Sequence, residues 1–138
     1  MILKFKGRGV YRGKAEGEAM VTQDTLAGWG GINPTTGEVI DRFHELYGKN
    51  IKDKILVFRG ARGSSGWANT FHIARLRKTK PAGLIFTELT SKLCLGIIMM
   101  RSPAITELEV NPFDVIETGD YIKIDGDTGE VIIIKNKK

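Results

Sequence analysis

The sequence predicts an α/β domain of three layers, β/β/α. Two apolar runs, in "KDKILVFRG" (52–60) and "AGLIFTE" (82–88), each lead into a stretch with helical features, the order expected of βα units on a buried parallel sheet. Alternating apolar and polar residues near both ends of the chain point to further β structure, packed as a second sheet or a barrel-like layer. The length of 138 residues supports one core and leaves little room for a second, so residues 1–138 are read as a single domain.

The elements follow in order. "LKFKGRGV" and "AEGEAMV" (15–21) alternate as half-buried strands do. "GWGGINPTTGEVIDR" (28–42) is dense in turn residues, with "GEVIDR" as a short strand after the turn; it is either a tight turn cluster with Trp29 covering the core or a loop at a subunit interface or at the rim of an active site. A buried strand is expected at 54–59. Beyond the Gly/Ser turn, "WANTFHIARLRK" spaces its apolar residues helically, which predicts a helix over 66–78. Arg and Lys gather in its last turn, where they complement the helix dipole, and Pro81 follows at the expected stop. A second buried strand is expected at 82–86 and a second helix at 91–100, with Thr90 or Ser91 as N-cap. Gly96 costs that helix about 1 kcal/mol relative to Ala. "PAIT" (103–106) is a short strand. "DYIKIDGDTGEVIIIK" reads as a hairpin, with strands at 120–125 and 130–135 around "DGDTG".

The totals exclude several classes of function. No apolar run approaches the roughly 18 residues needed to cross a bilayer, and "MILKFKGRGV" lacks the long apolar core of a signal peptide. The single cysteine, Cys94, excludes an internal disulfide and a metal site built from cysteines of this chain alone; it fits a reducing, cytoplasmic setting. The net charge of +5 is spread out, apart from "RLRKTK" (75–80) and the tail "KNKK" (135–138). That is not the dense basic stripe with interleaved aromatics that single-stranded nucleic acid requires. It fits a solvated helix end, a docking face or a field that draws in an anionic substrate.

The chemistry concentrates at "RGARGSSG" (59–66). Gly60 and Gly63 permit backbone angles and close approaches that side chains forbid. Ser64 and Ser65 come next, where a helix begins and unpaired N–H groups and a positive dipole favour an anion. Arg62 adds a fork for a carboxylate. The turn is thus an anion cradle with two hydroxyls; its plainest alternative is a serine that caps the helix for about 1 kcal/mol. It has no lysine of the nucleotide phosphate loop, and it does not match the G-x-S-x-G elbow. Nothing places His44 or His72 beside it for a triad.

With "GEAMV" (17–21) and "GWGGINPTTGEVIDR" upstream in the same order, "RGARGSSG" resembles the swivelling domain of the aconitase X family, over about Gly13 to Asp125. The resemblance implies a swivelling β/β/α fold like the mobile domain of aconitases. It also implies a lyase, specifically a hydro-lyase: a dehydratase small subunit active only with a large subunit, as a heterodimer. That subunit is expected to hold the iron or iron–sulfur cluster, this chain alone binding no cofactor. By position in the family's loop, Ser64 is the general base that takes the proton next to a substrate carboxylate, and Ser65 binds substrate beside it. Aconitases have an Arg where this chain has Gly66; Arg62 is expected to replace it from the other side of the turn, so Arg62, Gly63 and Gly66 complete the expected substrate-binding set.

Members of the family dehydrate cis-3-hydroxy-L-proline or mevalonate 5-phosphate. The loop and the later segments "LTSKLCLGIIMMRSPAI" and "NPFDVIETGDYIKIDGDTG" resemble the hydroxyproline branch more. The phosphomevalonate branch is the alternative. From another class, the alternative is a non-catalytic module that binds an anion or assembles a complex, without nucleic acid or membrane. Asp41 and Arg42 are expected to pair or to reach the substrate. His44 is expected to be exposed, His72 packed or solvent-facing, Cys94 buried, and only one of Met99 and Met100 in the core.

Overall fold

The computed structural model describes residues 1–63 and 66–135. The described elements are β1 (Ile2–Lys6), β2 (Arg8–Tyr11), β3 (Lys14–Val21), β4 (Thr25–Ala27), β5 (Ile55–Phe58), β6 (Gly60–Arg62), α1 (Trp67–Arg77), β7 (Gly83–Phe86), α2 (Ser91–Met100), β8 (Ala104–Thr106), α3 (Pro112–Val115), β9 (Tyr121–Asp125) and β10 (Glu130–Ile134).

Eight strands run in the order β1-β10-β9-β3-β5-β7-β8-β2. Its two end strands, β1 and β2, are consecutive in the chain with only Gly7 between them, so one bent strand serves both ends. β3 turns the opposite corner. Its first half, Lys14 to Glu18, pairs antiparallel with β9, and its second half, Ala19 to Val21, pairs parallel with β5. One layer is therefore the antiparallel set β1, β10, β9 and the start of β3. The other is the parallel set β3, β5, β7 and β8, with β2 antiparallel at its edge.

β5 shows why its sequence is apolar without alternation. Ile55 and Val57 enter the core between the two sheets, while Leu56 and Phe58 enter the core under the helices. β7 divides likewise, Ile85 on one side and Leu84 and Phe86 on the other. A strand buried on both faces has no polar position, and each such side chain contributes about 1.5–3 kcal/mol by leaving water. Helices α1 and α2 form the third layer. Phe58 and Trp67 stack with centroids 5.9 Å apart, Phe71 packs on Trp67 at 4.4 Å, and the indole N–H donates to the Leu26 carbonyl at 2.8 Å.

Thr90 caps α2 as expected, its hydroxyl oxygen accepting from the Leu93 N–H at 3.2 Å. Gly96 has a packing reason: a Cβ there would lie 2.6 Å from Trp67 Cε3, so the glycine lets α2 approach α1. Met100 is buried and Met99 half-buried, while Cys94 is half-buried rather than fully enclosed.

The structure corrects three further expectations. Residues 38–42 form only isolated bridges, Ile32–Val39 and Glu38–Asn50, because the chain turns before them at Asn33–Gly37 and after them at Asp41–His44. Trp29 is 79% exposed: Trp67 already fills the core there, and Gly28 lies so close to Trp67 that a Cβ would meet its Cα at 2.9 Å. His44 is 4% exposed, held by the Thr25 carbonyl and the Leu46 N–H. The short β4, β6 and α3 were not foreseen. They run three, three and four residues, too short for a periodicity to show.

Candidate active site

The turn singled out in the sequence joins the end of β6 at Arg62 to the start of α1 at Trp67. Ser64 and Ser65 themselves lie outside the described residues. Gly63 adopts φ +92° with open space around its Cα, and Gly66 adopts φ +91°, the left-handed region where glycine is unstrained. Gly66 occupies the N-cap position of α1 and offers no side chain to cap it. A Cβ at Gly66 would stand 2.7 Å from Trp29 Cβ, so the excursion through residues 28–31 lies directly against the turn. The first turn of α1 carries no acidic residue to offset its positive end.

β6 pairs parallel with β4, placing Thr25 opposite Gly60 and Ala27 opposite Arg62. Each guanidinium nitrogen of Arg62 has a partner within the chain. Its Nη2 donates to Asp24 Oδ1 at 2.7 Å, its Nε to Thr25 Oγ1 at 2.8 Å, and its Nη1 lies 3.5 Å from Asp41 Oδ2. Asp41 thus pairs with Arg62 and not with its neighbour Arg42, which is exposed. The hydrogen bond from Arg62 holds the Asp24 carboxyl below the usual range; burial opposes this, and the Thr25 N–H adds to it.

His44, which the sequence reading left outside, belongs to this cluster. The Leu46 N–H donates to Nδ1 at 3.0 Å, which makes Nδ1 an acceptor and leaves Nε2 to carry the proton given to Thr25 O at 3.0 Å. The imidazole therefore braces β4. Nearby, the Thr22 hydroxyl donates to Glu45. A histidine among turn residues gives no sequence signal for such a role, because its partners are a backbone carbonyl and a backbone amide.

Apolar side chains are also exposed near the turn. Phe43 is 98% exposed, and a hollow of about 340 Å³ is lined by Trp29, Ile32, Pro34, Ile40, Thr70 and Ile73. His72 is half-buried on α1, with no contact to the Arg62 cluster among the described bonds. Among the described residues no three His, Cys, Asp or Glu side chains come together as metal ligands. Among the same residues no helix is long and apolar enough to cross a membrane.

The family model of the aconitase X swivel domain matches residues 4–133. The chain belongs to the aconitase X swivel domain family. The phosphomevalonate dehydratase small subunit of Methanosarcina mazei is 33% identical over 133 residues, covering 96% of this chain and 92% of that protein. The one of Methanocella arvoryzae is 34% identical over 127 residues, covering 92% and 96%. The crystal structure of Thermococcus kodakaraensis aconitase X in its holo-form superposes with a TM-score of 0.89 at 32% identity, covering 96% of this chain and 99% of that one.

As an aconitase X swivel domain, the chain has the three-layer architecture expected of it and is a hydro-lyase subunit. The expected branch is not the one these relatives carry. The hydroxyproline reading rested on a few loop residues and two later segments, whereas the identity to the small subunits named for phosphomevalonate dehydratase runs over nearly the whole chain.

Proposed function

We propose that the chain is the small subunit of a phosphomevalonate dehydratase and contributes Ser64 as the general base. The observation that carries this reading is similarity along nearly the full length to proteins that bear that name, with no large part of either chain left over. The reaction is a balanced loss of water. The C–H bond next to the substrate carboxylate breaks and its proton passes to Ser64 Oγ. The electron pair forms the double bond as hydroxide leaves the next carbon, and that hydroxide with the proton taken by Ser64 makes up the water lost.

A serine hydroxyl is a weak base, so its alkoxide needs support. The N-terminal end of α1, free of acidic side chains in its first turn, supplies positive potential where that charge develops. Ser65 and the backbone around Gly63 and Gly66 bind the substrate there. The large subunit completes the site and carries the iron or iron–sulfur group. It docks on the face that surrounds the turn: Trp29 lies against Gly66, and Phe43 follows the Asp41 that holds Arg62, so both exposed aromatics flank the loop. Large apolar side chains left this open are typical of a contact surface.

The test is co-expression with the large subunit, then assay of water loss from mevalonate 5-phosphate and from cis-3-hydroxy-L-proline. Turnover of the first alone supports the proposal. Turnover of the second alone moves the chain to the hydroxyproline branch, and a stable complex inert on both favours an assembly module.

A further inference from the structure

The geometry points to Arg62 as a positioning residue for the serine turn, locked by Asp24, Thr25 and Asp41, and not as a ligand of the substrate. This rests on the dehydratase reading above. All three guanidinium nitrogens have partners within the chain, drawn from segments 21 to 38 residues away in sequence. The cluster closes on itself. Asp41 Oδ1 accepts the Phe43 N–H, the Asp41 carbonyl accepts the His44 N–H, and His44 donates to the carbonyl of Thr25, whose hydroxyl oxygen accepts from Arg62. Two excursions of the chain, 22–27 and 41–46, are thereby fastened to the last residue of β6.

The next residue is Gly63, with a left-handed backbone and, among the described residues, no neighbour within 4 Å of a Cβ position. The described ends of the turn are held at Arg62 on one side and at Gly66 against Trp29 on the other. Charge argues the same way. One guanidinium shared by two carboxylates leaves a net charge of −1, which does not attract a carboxylate or a phosphate. Nε and Nη2 already hold partners at 2.8 and 2.7 Å, which fixes the plane of the fork.

Arg62→Lys keeps the cation and loses the fork; Asp24→Asn keeps the shape and loses the charge. Each is assembled with the large subunit, and turnover is measured against substrate concentration. Misplacing a reacting group by about 1 Å can cost about 10²-fold. The expected result is a fall in kcat of roughly 10- to 10²-fold in both variants, with KM within about twofold of wild type. The double variant should be no worse than the poorer single, because both remove one contact.

A raised KM in Arg62→Lys, together with a lowered KM in Asp24→Asn as the freed fork gains substrate, would overturn the proposal and make Arg62 a ligand. Unchanged kcat in both would also overturn it. If the wild-type assembly itself turns nothing over, the dehydratase reading fails and this inference goes with it; an active wild type with unaffected variants sinks this inference alone. Faster amide exchange in 22–27 and 60–63 of folded Arg62→Lys is the expected companion result. Unaltered exchange there would contradict the fastening.

Discussion

At Asp24 the local chemistry has a pH signature. The hydrogen bond from Arg62 depresses the carboxyl's folded pKa. A depressed carboxyl contributes stability that is fully present above its unfolded value, about 3.9, and is lost as pH falls through the folded value. Asp24→Asn has no such contribution to lose. The difference in unfolding free energy between wild type and Asp24→Asn should therefore be constant from about pH 5 to 7 and shrink towards pH 3. Urea unfolding at a series of pH values checks this, and a difference that grows on acidification would contradict it. Residue-scale roles were also where sequence reading was weakest. "RGARGSSG" located the turn, but Trp29 and His44 exchanged expectations, the tryptophan outside and the histidine inside. Hydrophobicity alone cannot tell that Trp67 has taken the interior place, or that His44 finds both its partners on the backbone.

The elements were legible wherever periodicity or continuous burial marks them. The expected strands at 54–59, 82–86, 120–125 and 130–135 correspond to β5, β7, β9 and β10, and the helices at 66–78 and 91–100 to α1 and α2, within two residues at every end. β4 and β6 escaped because their pairing joins residues about 35 apart in sequence, which no local pattern reports. Gly96 illustrates how packing overrides propensity. In an exposed helix Gly→Ala gains about 1 kcal/mol. Here the added methyl meets the ring of Trp67, a side chain fixed by stacking and by its bond to Leu26. Overpacking costs about 1–3 kcal/mol, so Gly96→Ala should destabilise the fold by up to about 2 kcal/mol despite the better helix former. A raised denaturation midpoint would show that α2 slides freely over α1. Thr90→Ala, which removes the only side-chain acceptor at the start of α2 among the described bonds, should cost about 1 kcal/mol in the same assay.

At the scale of the whole molecule, the two layers of the eight-stranded sheet and the helices α1 and α2 carry the described ends of the turn, Arg62 and Gly66, to a surface with exposed aromatics. Phe43, at 98% exposure, adds nothing to the fold of the lone chain. Phe43→Asp should leave its thermal midpoint unchanged and weaken association with the large subunit at least about tenfold, as expected for an aromatic anchor. Equal affinities by titration would move the docking face elsewhere. The central claim is that this turn supplies the base. It is tested most directly by exchange of the proton next to the carboxylate of mevalonate 5-phosphate with solvent deuterium, catalysed by the assembled enzyme. Exchange reports proton removal even when departure of the hydroxyl is slow. Ser64→Ala, shown to be folded and assembled, should slow that exchange by about 10²- to 10⁴-fold. Exchange at the wild-type rate would contradict the account and move the base to the large subunit.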